Sequence, residues 1–266
     1  RGSIKQVSKR HLKNLQKVSG DNFAVVLRHD LDELSLSSDL ILKTHEKSCL
    51  FIMPIQFPEV NDSFVEVMQT RELSLHSVFL NKWVPVFPNG KYHRWLVWQK
   101  LIQQVKKLRQ KLKVNQAIGH SPHAESNYWT FRPENTWWNI IESTSNVKEI
   151  SYLSDWILPS LTPHGSNISR HFPTYHKYDM LKIFSTSWDD RSLALPNHHT
   201  YLNLSDQNDH WEGILQCINR GMLLKEPVVL SFHPVYFSQD SYYDVYCRVI
   251  DYCDDNNIDI VRFSDL

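Results

Sequence analysis

Phe23-Ala24-Val25-Val26-Leu27-Arg28-His29-Asp30-Leu31-Asp32 decides the reading of this chain. Five apolar residues in a row, with β-branched Val25 and Val26 at the centre, suit a strand buried on both faces, as in a parallel sheet. The run then breaks into Arg, His and two Asp, which places charged chemistry at the strand's C-terminal end. Asp30 and Asp32 are two residues apart and project to one side of an extended segment. Two carboxylates that close require a cation or a shared proton. The economical division has one carboxylate on a metal and the other acting as general base. An Asx turn, or a cap for a helix near Ser37, would account for the same residues structurally.

Similar runs recur along the 266 residues. Cys49–Met53, Glu72–Leu75, Val114–Ile118, Ile150–Leu153, Leu181–Phe184, Val228–Phe232 and Ile258–Val261 complete a set of about eight strand candidates. Between them lie helical periodicities. The clearest follows Arg94, where Trp98, Leu101, Ile102, Val105, Leu108 and Leu112 recur at steps of three and four, opposite a basic, solvated face. Others begin at Asn135, Asp209 and Tyr242, and Ile4, Val7, Leu12, Leu15 and Val18 mark an N-terminal one. Strand–helix alternation predicts an α/β fold with a parallel sheet, open or closed into a barrel. No linker and no repeat divides the chain, so residues 1–266 read as one domain, with 1–20 as a helical N-terminal extension. The opening Arg1-Gly2-Ser3 resembles a vector-derived remnant, so the natural start is expected elsewhere.

Composition removes several function classes. Lys+Arg and Asp+Glu are both 29, without the basic surplus that nucleic-acid binding favours. No apolar run approaches the ~20 residues of a membrane helix. The 7 glycines form neither G-x-G-x-x-G nor a P-loop, which disfavours nucleotide binding of those kinds. Four scattered cysteines make neither a disulfide scaffold nor a thiolate zinc site, and they suit a reducing compartment, favouring the cytoplasm over export.

Chemistry collects just beyond the strand candidates: His76, then His120 and His123, Asp155, Asp189 and Asp190, and His233. In a parallel α/β fold these positions share one face. Asp and His without Cys suit a divalent metal such as zinc, with positions left for water and substrate. The structural alternatives are hydrogen-bonded rim histidines at 120 and 123, a strand terminus at His233-Pro234, and a loop cap at Asp189.

Leu27-Arg28-His29-Asp30-Leu31-Asp32 resembles the first motif of the NodB-homology polysaccharide deacetylases in its R-H-D-x-D form. Glu72-Leu73-Ser74-Leu75-His76-Ser77 resembles the segment that opens that family's H-[ST]-x-x-H motif. Gly119-His120-Ser121-Pro122-His123 resembles its R-[SA]-P motif, and Leu230-Ser231-Phe232-His233-Pro234 its late L-x-x-H motif. The resemblance runs in the family's order from Phe23 to Leu266.

It implies a distorted (β/α) barrel of about seven to eight parallel strands with outer helices. The implied activity is metal-dependent removal of an acetyl group from an N-acetylated sugar or glycan, a hydrolysis of a C–N amide bond. Asp30 would be the base, Asp32 and His76 metal ligands, and His233 the acid. Two positions depart from the pattern: the second metal histidine falls at Leu80, and the arginine expected to orient the base falls at His120. His120, or else His123, is the substitute ligand within reach. A carbohydrate partner follows, with Trp83, Tyr92 or Tyr175 in the irregular stretches Asn81–His93 and Pro159–His176 offering faces for a sugar ring. The other reading is a carbohydrate-binding relative that has lost full metal chemistry.

Overall fold

The computed structural model describes residues 15–17, 23–31, 38–53, 62–77, 91–122, 144–155, 175–177, 181–190, 193 and 207–266. In chain order its strands are β1 (Leu15–Lys17), β2 (Val25–Leu31), β3 (Cys49–Ile52), β4 (Glu72–Ser77), β5 (Ile118–Pro122), β6 (Ile150–Asp155), β7 (Tyr175–Lys177), β8 (Leu181–Asp189) and β9 (Val228–Phe232). The order across the sheet is β1-β7-β8-β6-β5-β4-β3-β2-β9, with a further pairing of β8 to β9. Seven strands, all but β1 and β7, are mutually parallel, and the β8–β9 pairing closes them into a ring. Long β8 serves two purposes: Leu181–Ile183 carries the antiparallel β7–β1 ribbon, and Thr186–Asp189 completes the ring. This is a distorted (β/α) barrel.

The helices are α1 (Ser38–Leu42), α2 (Asp62–Gln69), α3 (Lys91–Leu112), α4 (Gln207–Leu224) and α5 (Asp240–Asp255). Helix α3 matches its predicted stripe, with Leu101, Val105, Leu108 and Leu112 buried against Leu50, Ile52, Leu73 and Leu75. Each such buried side chain contributes about 1.5–3 kcal/mol. On the other side, α4 and α5 cover β2 and β9 through Ile214, Ile218, Tyr242, Val245, Tyr246 and Val249. Helices α3, α4 and α5 are each followed by a left-handed residue, Lys113, Lys225 and Asn257. In each case a six-to-one backbone bond closes the turn: Val114 N–H to Arg109, Glu226 to Gly221 and Ile258 to Cys253.

Inside the ring, Val26, Cys49, Phe51, Tyr152, Phe184 and Val229 meet Phe263 from the C-terminal segment. Tyr152 stacks on Phe263 at 4.6 Å between ring centroids, plugging the N-terminal end of the barrel. Gly119 is required here, because a Cβ would stand 2.0 Å from the Tyr152 ring.

Three expectations are corrected. Leu15 lies in a strand rather than a helix, since pairing with β7 satisfies this segment's backbone and overrides its weak helical periodicity. The strand expected from Val114, β5, starts at Ile118, because Val114 belongs to the closing turn of α3. Ile258–Val261 forms only a bridge, Val25 with Ile260. β3 begins opposite Arg28, so the β2 edge below it is left to this short crossing segment. The irregular stretches also shrink, as Lys91 opens α3 and Tyr175-His176 belongs to β7; their remainders, and the helix expected at Asn135, lie outside the described residues.

Candidate active site

Strand alternation decides which side chains enter the barrel. Arg28 and Asp30 on β2, His76 on β4, Ser121 on β5, Ser154 on β6, Thr186 on β8 and Ser231 on β9 meet across the axis toward the strands' C-terminal ends. All seven are buried.

Asp30 lies in a two-pronged ion pair with Arg28: Nε donates to Oδ1 and Nη2 to Oδ2, both at 2.7 Å. Ser231 Oγ donates to Oδ2 from 3.4 Å. Burial alone would raise the Asp30 carboxyl, but the charges of Arg28 and His76 and the Arg28 hydrogen bond outweigh it, bringing it down to about 2. An arginine therefore supplies a cation beside Asp30. It approaches Ser121 Oγ at 2.7 Å and rests over the Phe51 ring at 4.7 Å.

His76 Nδ1 donates to the Ser121 carbonyl at 3.1 Å, and Nε2 faces Asp30 Oδ2 at 3.9 Å. A backbone carbonyl on Nδ1 makes that nitrogen the donor and leaves Nε2 for the axis, an orientation that metal-binding histidines also use. His233 follows β9. Its Nδ1 meets Asp190 Oδ1 at 2.7 Å, and its backbone N–H donates to Asp190 Oδ2 at 2.5 Å. The Tyr242 hydroxyl donates to the same carboxylate. Asp190, fully buried, thus leaves Nε2 as the working nitrogen of His233.

His120 does not join this group. Gly119 and Ser121 face inward, so His120 faces outward, with Nε2 at 2.6 Å from Ser77 Oγ and Nδ1 at 3.0 Å from Thr144 Oγ1. Burial, with the charges of His76 and Arg28, pushes it down to about 3. It is a neutral packing histidine, and the expected ligand role is withdrawn. His29 likewise faces outward, among Phe232, Phe237 and Tyr246, and burial takes it to about 3.

Asp32, Leu80, Trp83 and His123 lie outside the described residues, as do the side chains of Tyr92 and Tyr175. Among the described residues no group of three or more His, Cys, Asp or Glu side chains could hold a metal ion. Of the metal ligands the resemblance implies, His76 is the one described, and both Asp30 oxygens are already engaged by Arg28. The described donors alone do not make a metal site.

Two functional candidates are given no role by the sequence alone. Arg28 is legible, since it shares a face with Asp30, but nothing local assigns it a partner. Asp190 is overshadowed by Asp189; the register shift between Thr186 and Trp188 alters the alternation just there.

No protein-family model matches this chain, and no curated protein does. Solved structures do. The Bc1960 peptidoglycan N-acetylglucosamine deacetylase superposes with a TM-score of 0.50 at 10% identity, covering 93% of this chain and 88% of that one. A candidate polysaccharide deacetylase from Mycobacterium smegmatis reaches 0.56 at 12%, covering 94% and 90%. The fold is that of the NodB-type polysaccharide deacetylases. A lactam utilization protein from Thermus thermophilus superposes on the same barrel, with a TM-score of 0.55, 14% identity and coverage of 90% and 100%. The barrel therefore does not by itself fix the reaction. Among the described residues no helix is long and apolar enough to cross a membrane.

Proposed function

We propose that this chain hydrolyses the acetamido group of an N-acetylated sugar or glycan, with Asp30 as base and His233 as acid. The observation that carries this reading is the pair itself. An ionised carboxylate and an imidazole backed by Asp190 each follow the His29–Phe232 pair of the adjacent parallel strands β2 and β9, which supports their acting together. Asp30 takes a proton as water oxygen bonds to the acetyl carbon. The C–N bond then breaks, and His233 Nε2 supplies the proton that the departing amine needs, so water and amide become acetate and amine. Both groups are fixed by buried partners, so little reorganisation is required at the moment of reaction.

A divalent metal, zinc by the resemblance, would be held by Asp32 and His76, and its chemistry there would be to polarise the acetyl carbonyl and acidify water. The Nδ1–H bond of His76 to the Ser121 carbonyl supports that histidine as a donor. The Ser231 hydroxyl limits where Asp30 Oδ2 can move.

Acetate release from N-acetylglucosamine oligomers, measured with and without added zinc, tests the reading. The expected result is turnover that falls by about 10²–10⁴-fold in Asp30→Asn and in His233→Asn. A folded protein that binds these oligomers but releases no acetate overturns it in favour of a carbohydrate-binding relative.

A further inference from the structure

We propose that Arg28 is the positioning residue for Asp30, delivering from the same strand the guanidinium that fixes which carboxylate electron pairs face the barrel mouth. The inference deepens the deacetylase reading and rests on it.

All five N–H groups of Arg28 have acceptors. Nε donates to Asp30 Oδ1. Nη2 donates to Asp30 Oδ2 and to Ser121 Oγ. Nη1 donates to the Ser154 carbonyl at 3.1 Å and to Thr186 Oγ1 at 3.2 Å. These acceptors come from β2, β5, β6 and β8, so the guanidinium plane is set from four strands of the ring, and Phe51 supports it from β3. A planar fork held this way dictates the plane of the carboxylate it grips. The fork occupies the inner electron pair of each Asp30 oxygen. The outer side of Oδ2 is left to face Ser231 Oγ and His76 Nε2.

The outward turn of His120 gives this arrangement its particular sense. β5 contributes no cation to the axis; its neighbour Ser121 contributes an acceptor, and the guanidinium arrives from β2 to meet it. Lysine could not substitute, because an ammonium is a point donor and cannot hold both carboxylate oxygens in one plane.

The alternative is that Arg28 only staples strands together. Steady-state acetate release by Arg28→Lys, alongside its thermal unfolding, separates the two. A positioning role predicts a folded variant whose kcat falls about 10- to 100-fold with KM within about threefold, since misplacing a reacting group by an ångström is that costly. A staple predicts a lower melting temperature with kcat per folded molecule unchanged, and that result overturns the proposal. If Arg28→Lys does not fold, the double variant Ser121→Ala/Thr186→Val, which keeps the ion pair but removes two of the acceptors that set the guanidinium plane, is measured instead. Its kcat is expected to fall by about threefold to tenfold, and an unchanged kcat overturns the proposal. Absence of turnover in the unsubstituted protein sinks the deacetylase reading and this inference together. Turnover with an indifferent, folded variant sinks the inference alone.

Discussion

Asp190 Oδ1 and His233 Nδ1 meet at 2.7 Å where β8 and β9 close the barrel. The carboxylate is anchored by the His233 backbone N–H and the Tyr242 hydroxyl, so it orients the imidazole rather than following it. Asp190→Asn keeps the shape but loses the charge and permits the wrong tautomer. The expected outcome is a loss of about 10²-fold or more in kcat with KM little changed, read from acetate release. Tyr242→Phe, which removes one anchor, should lose less.

His120 gives the opposite expectation. Its ring nitrogens are engaged by Ser77 and Thr144 on the outer face, so His120→Gln should leave kcat within about twofold. Equilibrium metal binding should be equally indifferent. A drop in metal stoichiometry would restore the ligand role that the geometry removes.

The contrast shows where sequence reading reaches its limit. The seven-strand ring is legible because each strand is a short buried run, and Asp30, His76 and His233 follow from lying at the ends of such runs. His120 misleads because the Val114 run extends into a helix exit; once the strand is Ile118–Pro122, alternation turns His120 outward. The partnership of Asp190 with His233 is hidden by a bulge that no local pattern announces. Arg28 requires three-dimensional closure, since its acceptors Ser121, Ser154 and Thr186 are distant in sequence.

Gly119 offers a packing test. An added methyl group would meet Tyr152 side-chain atoms at 2.0 to 2.4 Å, and that ring is stacked on Phe263 with its hydroxyl at 2.6 Å from Ser74 Oγ. Gly119→Ala should therefore destabilise the fold by about 1–3 kcal/mol, measured by urea unfolding.

Stability should fall in mild acid. Burial takes both His29 and His120 down from 6.5 to about 3 in the folded chain. Above pH 6.5 neither state binds these protons, and there is no effect. Below it the unfolded chain takes up two protons that the folded chain refuses, so stability declines toward pH 3 by up to about 2.7 kcal/mol per pH unit. Asp30 adds a second, more acidic window: its folded value of about 2 lies below the ordinary value of 3.8, so its contribution is present above 3.8 and lost as pH falls toward 2. Urea unfolding between pH 7 and pH 5 checks the first window. His120→Gln should flatten the slope by about half.

In the proposed reaction, water activated at Asp30 cleaves an acetamide while His233 protonates the amine. Turnover of an N-acetylated oligosaccharide in ¹⁸O-labelled water tests it most directly, with acetate and free amine quantified together. Equal amounts of the two products are expected, with one labelled oxygen in each acetate and loss of both products in Asp30→Asn. Bound oligosaccharide recovered intact, or product formation that survives Asp30→Asn undiminished, would contradict it.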